Sequence, residues 1–252
     1  CGFLPGENMP PTYPHVLAAG VHLAMLGSRA FPVRVAGLIH LANRIEVLEP
    51  IPVNASLSLF CTLTGPEETP RGQEFSLATT ARRRGRPVWR ESMRFLARAS
   101  GSVERSPRRK PTGPPEDAVT LARWGAPSDI GRRYAQVSGD FNPIHLFAGA
   151  ARLFGFDRAI AHGMWSLARA TASLDPDAGC ESLVVDARFV KPLMLPGEVE
   201  LAVSPPTAGA GRQFWLAGAS DGPIHLAGTL DCDKAPGRRD NATSARVEAG
   251  VS

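Results

Sequence analysis

The stretch YAQVSGDFNPIHLFAGAARLFGFDRAIAHGMWSLARA, residues 134–170, decides how the rest of the chain is interpreted. It places Asp140 and His145 five residues apart with Pro143 between them, and it returns to His162 and Gly163 just before an apolar run. Proline removes a backbone donor and biases the residue before it away from helical geometry. We therefore predict a tight, non-helical loop that aims the Asp140 carboxylate and the His145 imidazole at one point.

The polar residues around this pair are predicted to support it. Asn142 can hydrogen-bond the loop backbone and hold it in shape. Ser138 is a supporting residue, because a nucleophilic serine would need the G-x-S-x-G turn that is missing here. His162 is interpreted as structural, since a histidine at a helix start often bonds nearby loop carbonyls. Thr171, further along the helix, either faces the site or packs, and Met164 is a predicted substrate contact.

A carboxylate and an imidazole that converge can bind a water together, one accepting its proton while the other orients it or later donates. Adding water across a conjugated double bond requires this, and the reverse elimination uses the same groups. Gly163 would open a helix, where free N–H groups can stabilise a developing enolate oxygen. The alternatives are a helix-capping turn at Asp140 and a structural His145. Asp140, His145 and His162 lack the i, i+4 histidine pattern of a metal site, so no metal is predicted.

Length and composition indicate a folded protein. The chain has 252 residues, of which 43% are hydrophobic and 21% charged, enough for one large or two small domains. The net charge of +4 is concentrated in the basic runs 82–86, 105–110 and 237–239. Because these runs fall in a predicted turn, linker and tail, we interpret them as solvated loops and expect no nucleic-acid partner. The alternative is attraction of a phosphate-bearing substrate.

The four cysteines are scattered at Cys1, Cys61, Cys180 and Cys232, without C-x-x-C spacing. This pattern favours reduced cysteines over a disulfide framework or a zinc site. The sequence contains no apolar run long enough to cross a bilayer and no signal-peptide pattern. We therefore expect a cytoplasmic protein without a membrane span.

Two similar halves are predicted along the chain. PHVLAAGVHLAML in the first half resembles AHGMWSLARATASL in the second, which pairs His15 with His162. The first helix is expected to end at Gly27, and a turn at Arg84-Gly85 is expected between two strands. Strand-like patterns cover residues 37–51, 54–65, 74–99, 181–204, 212–220 and 222–231.

The predicted boundaries are a first half at 1–100, a Pro-rich linker at 101–117, a second half at 118–233 and a polar tail at 234–252. Each half is expected to hold one buried helix wrapped by antiparallel strands. Only the second half carries the polar motif. The first half is therefore free for another purpose, such as receiving an apolar substrate tail.

The central stretch resembles the signature of the MaoC-like dehydratases, also called (R)-specific enoyl-CoA hydratases or hydratase 2. Residues 31–51 and 188–202 are similar to members with two tandem halves, and the likeness extends from about residue 12 to about residue 231. The resemblance implies an α+β double hot-dog fold, in which two long helices are each wrapped by a curved antiparallel sheet.

The resemblance also implies roles for individual residues. Asp140 and His145 would activate the water, Gly163 would supply the oxyanion N–H, and the first half would accommodate the acyl chain. Leu146-Phe147 departs from the family pattern, in which an acidic or small polar residue often follows the motif histidine by two positions. Thr171 stands where a serine is often found on the central helix.

The activity implied is that of a hydro-lyase interconverting trans-2-enoyl and (3R)-3-hydroxyacyl thioesters. No cofactor is expected, since coenzyme A or the phosphopantetheine of an acyl carrier protein comes with the substrate. The alternatives are a thioesterase on the same scaffold and a non-catalytic acyl-thioester-binding subunit. Because two fused halves can form a complete site without a second chain, the protein could be a monomer, which is a pseudo-dimer of its halves. A homodimer is equally compatible with the sequence.

Overall fold

The computed structural model describes residues 1–33, 35, 37–98, 113–175, 180–206 and 211–234. Most of the predicted linker, residues 101–112, lies outside these ranges, as does the predicted tail beyond Lys234. The basic runs 105–110 and 237–239 therefore also lie outside the described residues. The linker and half boundaries stay predictions.

The first half begins with a helix and continues as four strands. The helix α1 begins with proline in its first turn, where a missing N–H costs nothing, and ends at Gly27 as predicted. The predicted turn is also confirmed, because Arg84 and Gly85 take positive φ angles of 51° and 80°. The elements are α1 (Tyr13–Leu26), β1 (Ile39–Val47), β2 (Ser58–Thr69), β3 (Gly72–Arg83) and β4 (Arg86–Arg98).

In the second half, three short helices precede the long helix. The single strand-like segment predicted over 181–204 is two strands, because prolines that cannot donate to a ladder lie between them. The first strand and first helix of this half were not predicted. The elements are β5 (Val119–Ala126), α2 (Ile130–Ser138), α3 (Pro143–Leu146), α4 (Ala148–Leu153), α5 (Gly163–Leu174), β6 (Cys180–Phe189), β7 (Gly197–Val203), β8 (Arg212–Gly218) and β9 (Ile224–Lys234).

The nine strands in the described part of the chain form one antiparallel sheet in the order β2-β3-β4-β1-β6-β9-β8-β7-β5. The two halves meet where β1 pairs with β6, with Ile45 opposite Val185. The helix α1 packs against β2 and β3, and α5 packs against β5 and β6. This arrangement confirms the α+β double hot-dog fold.

The main core crosses the junction between the halves. It includes Ile45 and Trp89 from the first half and Leu167 and Leu216 from the second, all of them fully buried. Burying a side chain of this size stabilises a fold by about 1.5–3 kcal/mol. Among the described residues, no helix is both long enough and apolar enough to cross a membrane.

The prediction of four reduced cysteines was wrong for two of them. Cys180 on β6 and Cys232 on β9 form a disulfide, with their Cα atoms 5.5 Å apart. The residues are 52 positions apart in sequence, and only the β6–β9 register brings them together. The spacing of the cysteines in the sequence does not predict how β6 and β9 pair. Cys1 and Cys61 are free thiols.

Candidate active site

The end of α2 directs the chain into the site. Gly139 takes a left-handed conformation with φ of 73°, which ends the helix and turns the backbone. The Ser138 hydroxyl donates to the Tyr134 carbonyl at 3.0 Å and accepts the Asp140 N–H at 3.3 Å. One carboxylate oxygen of Asp140, Oδ1, accepts the Asn142 N–H at 3.1 Å. These bonds orient the Asp140 side chain, which is 40% exposed.

The loop between Asp140 and His145 is not wholly non-helical, so that prediction was wrong in part. Asn142 does stay out of helical geometry, with φ −57° and ψ 121°. Pro143, however, opens the one-turn helix α3, because proline is tolerated at a first helical position. The Asn142 side chain caps this helix by accepting the Ile144 N–H at 3.4 Å.

The ring of His145 is held in one tautomer. Its Nδ1 donates to the Ile160 carbonyl at 2.9 Å, so Nε2 carries the lone pair. Burial lowers the pKa of His145 below its ordinary value of 6.5, against smaller opposing effects of the Ile160 bond and Asp140. Gly131 on α2 makes this position possible, since a Cβ there would collide with the His145 carbonyl oxygen. Gly131 was not predicted from the sequence.

His162 connects the loop to α5. Its Nε2 donates to the Asp140 carbonyl at 3.0 Å and lies 3.8 Å from Asp140 Oδ2. Its ring stacks on that of His145, with centroids 3.8 Å apart. Burial, reinforced by the neighbouring His145, lowers the pKa of His162 to about 4. His162 is thus a neutral ring that links the two motif residues.

Asp140, His145 and His162 converge. One ligand atom from each of the three lies within 4.8 Å of the others, which allows a single small ligand to contact more than one of them. A water making hydrogen bonds of about 2.8 Å fits such a space. The same donor types also bind transition metals, so the prediction that no metal binds stays a prediction.

Gly163 is the first residue of α5, so no earlier helical carbonyl accepts its N–H. A Cβ at this position would lie only 2.9 Å from Cε1 of Phe189. A glycine at this position was expected to allow a thioester carbonyl to approach closely. The structure adds a second reason, the packing of the Phe189 ring against the start of α5.

The other two predicted residues lie further into α5. Thr171 is fully buried eight residues beyond Gly163, about 12 Å along the helix, and its hydroxyl has no partner among the described residues. Met164 is 6% exposed and belongs to the main core. The structure therefore brings Ser138, Asn142, His162 and Gly163 to the Asp140–His145 pair, while whether Thr171 faces the site or packs stays a prediction. The functional roles of all these residues stay predictions.

A buried group of polar residues lies under α1 in the first half. We name these five residues, His15, His22, Asn43, Thr79 and Glu91, the α1 polar cluster. His15, His22 and Glu91 form a second set of potential metal-ligand atoms within 4.8 Å of one another. Periodicity could not reveal the cluster, because its members come from one helix and three strands.

Comparison with known proteins identifies close relatives. The MaoC-like domain model matches residues 102–206. The 3-hydroxyacyl-thioester dehydratase X of Mycobacterium tuberculosis is 33% identical over 232 residues, covering 89% of this chain and 79% of that protein. The crystal structure of HtdX from the same organism superposes with a TM-score of 0.77 at 28% identity, covering 92% of this chain and 91% of that one.

A more distant relative matches a shorter region. The probable enoyl-CoA hydratase 2 of Dictyostelium discoideum is 26% identical over 133 residues, covering 50% of this chain and 45% of that protein. The M. tuberculosis relative, in contrast, aligns across both halves. With this extent of similarity, the chain belongs to the MaoC-like dehydratase family.

Proposed function

We propose that this protein is a hydro-lyase that interconverts trans-2-enoyl thioesters and (3R)-3-hydroxyacyl thioesters by adding or eliminating water. The observation that carries the proposal is the convergence of Asp140 and His145 beside the start of α5. The names of the relatives, 3-hydroxyacyl-thioester dehydratase and enoyl-CoA hydratase, support the same chemistry.

The hydration step begins with a water between the Asp140 carboxylate and Nε2 of His145. One of these groups takes a proton as the water oxygen bonds to C3 of the enoyl chain. The electron pair of the double bond moves toward the thioester oxygen, which becomes an enolate. A proton returned to C2 completes the 3-hydroxyacyl product, and elimination follows the same path in reverse.

The N–H of Gly163 would stabilise the enolate oxygen. It lies at a helix N-terminus, where the free backbone donors and the helix dipole favour negative charge. Removing one such donor in other enzymes raises the barrier by about 2.7–4 kcal/mol. His162 would act indirectly, since its bond to the Asp140 carbonyl ties the start of α5 to the loop.

The remaining parts of the proposal concern the substrate. The thioester makes C3 electrophilic, so the chemistry needs no redox cofactor. Coenzyme A and an acyl carrier protein present the same phosphopantetheine arm, and either could deliver the acyl chain. The (3R) configuration comes from the family resemblance. We propose a cytoplasmic protein that works as a monomer or a homodimer.

Purified protein incubated with crotonyl-CoA and a longer trans-2-enoyl-CoA tests this function. We expect loss of the enoyl absorbance without release of free thiol, and chiral analysis of the product should give the (3R) isomer. Release of free thiol would instead identify a thioesterase, because hydrolysis of the thioester also removes the enoyl-thioester absorbance. If neither signal changes with coenzyme A or carrier-protein substrates, the proposed function is wrong.

A further inference from the structure

The α1 polar cluster lies on the inner face of the first half of the sheet. Thr79 on β3 is paired with Glu91 on β4, and Glu91 is paired with Ile45 on β1. Asn43 is two residues from Ile45 and therefore points to the same face. His15 and His22, seven residues apart on α1, cover these strand residues from above.

Hydrogen bonds connect most of the cluster. Nδ1 of His15 lies 2.8 Å from Oε1 and 3.1 Å from Oε2 of Glu91. The Asn43 amide donates to Oε1 of Glu91 at 2.6 Å. Nε2 of His22 lies 2.7 Å from Oγ1 of Thr79. Burial alone would lower the pKa of His15, but the Glu91 carboxylate outweighs burial and raises it.

This composition does not suit a pocket for a plain alkyl chain. The Glu91 side chain is completely buried, and Asn43 is 0% exposed. Burying a carboxylate is costly even with a partner, and apolar residues of similar size would often be more stable. The polar groups must therefore be explained by something other than the packing of α1.

One polar atom of the cluster is unsatisfied. Oδ1 of Asn43 is buried and has no hydrogen-bond partner among the described residues. A buried acceptor without a donor is destabilising, and such atoms in native proteins normally find a partner. His15, His22 and Glu91 already have partners, so the unmet requirement is for a hydrogen-bond donor rather than for a cation.

The cluster lies beside the candidate active site. The helix α1 packs against α2, which ends at Ser138 just before Asp140, and the Asp140 carboxylate contributes to the raised pKa of His15. His40, on the same strand as Asn43, packs its ring against Phe189 with centroids 4.5 Å apart. Phe189 is the ring that contacts the start of α5 at Gly163. An acyl chain that leaves Gly163 toward the first half would therefore reach polar groups.

We infer that the α1 polar cluster is a subsite for acyl chains that carry a hydroxyl group beyond C3. The hydroxyl donates to Oδ1 of Asn43, and the Glu91–His15 pair provides the polar surroundings. The inference rests on the proposed function, because it assumes that the acyl chain enters from the Asp140–His145 site. It adds a polar subsite to the first half, which was expected to receive an apolar tail.

Two measurements on matched thioesters test this inference. Each pair has the same chain length and differs only in a terminal hydroxyl, over a series of lengths. Saturated acyl-CoA pairs report binding by calorimetry, and trans-2-enoyl-CoA pairs report turnover. At the length that reaches Asn43 we expect the hydroxylated chain to bind about three- to tenfold more tightly, the usual gain from one hydrogen bond. Equal or weaker binding of the hydroxylated chain at every length would overturn the inference.

Variants locate the effect. Asn43→Leu removes the acceptor at similar volume and should abolish the preference, whereas Asn43→Gln keeps both an amide oxygen and the amide N–H that can donate to Glu91 and should retain it. A preference that survives Asn43→Leu in a folded protein would overturn the assignment to Asn43. If Asn43→Leu does not fold, Thr79→Val, which leaves the acceptor in place, should keep the preference, and its loss would count against Asn43. A binding preference without turnover would refute the proposed function alone, and turnover without preference would refute the subsite alone.

Discussion

The rings of His145 and His162 are stacked with their centroids 3.8 Å apart and their planes inclined by 28°. Two imidazolium ions could not occupy this arrangement without strong repulsion, and burial lowers the pKa of both rings. Each ring also donates one proton to a backbone carbonyl, His145 to Ile160 and His162 to Asp140. The stack therefore keeps both histidines neutral near pH 7 and leaves Nε2 of His145 free to accept a proton.

The first prediction concerns the carboxylate. Asp140→Asn keeps the shape of the side chain and an oxygen that can accept the Asn142 N–H, but it removes the carboxylate that takes or returns a proton together with His145. We expect the rate of enoyl-CoA hydration to fall by roughly 10²–10⁴, the usual scale for a general acid–base group. Steady-state kinetics check this, with Asp157→Asn as a matched control on an exposed aspartate. An Asp140→Asn variant as fast as the parent would remove Asp140 from the mechanism.

The second prediction concerns pH. His145 must be neutral to accept a proton, and its pKa in the folded protein lies below 6.5. The value of kcat/KM should therefore fall as the pH drops through this lowered pKa and level off above it. The pH profile of kcat/KM for crotonyl-CoA measures this fall. The His145→Gln variant should lose most of the activity, and its remaining activity should no longer fall at low pH. A limb centred above 6.5 would contradict the neutral stack.

Much of this site could be predicted from the sequence because it is local. Asp140, Asn142 and His145 occupy one short turn, and Gly163 directly follows His162. Their chemical roles can therefore be predicted from the order of the residues alone. The error in this stretch, a non-helical loop, came from treating Pro143 only as a helix breaker, although proline also opens helices.

What the sequence could not show depends on pairing between distant strands. The disulfide joins Cys180 to Cys232 through the β6–β9 register. Glu91 meets Asn43 only because β4 lies beside β1. A single glutamate in a strand of alternating pattern is normally predicted to face solvent. The inner-face position of Glu91 is therefore apparent only once α1 is placed over the sheet.

The third prediction concerns Gly163. An added Cβ would lie 2.9 Å from the Phe189 ring, so Gly163→Ala must displace either the ring or the start of α5. We expect kcat to fall on the order of 10²-fold, because a displaced N–H no longer meets the enolate oxygen. The double variant Gly163→Ala/Phe189→Ala should recover much of this loss, since it removes the obstacle and retains the N–H. Full activity of the single variant would show that the start of α5 does not need this geometry.

The fourth prediction concerns the disulfide. The bond between Cys180 and Cys232 closes a loop of 52 residues, and in the chain-entropy model such a cross-link stabilises the folded state by about 4 kcal/mol. Thermal unfolding with and without a reductant should therefore show a lower Tm for the reduced protein. A Cys180→Ala/Cys232→Ala variant should match the reduced protein and no longer respond to the reductant. Because Cys1 and Cys61 are free thiols, Cys61→Ala serves as the matched control and should retain the response. Equal Tm values for the oxidised and reduced parent, with the bond verified by mass spectrometry, would show that the sheet register alone holds β6 against β9.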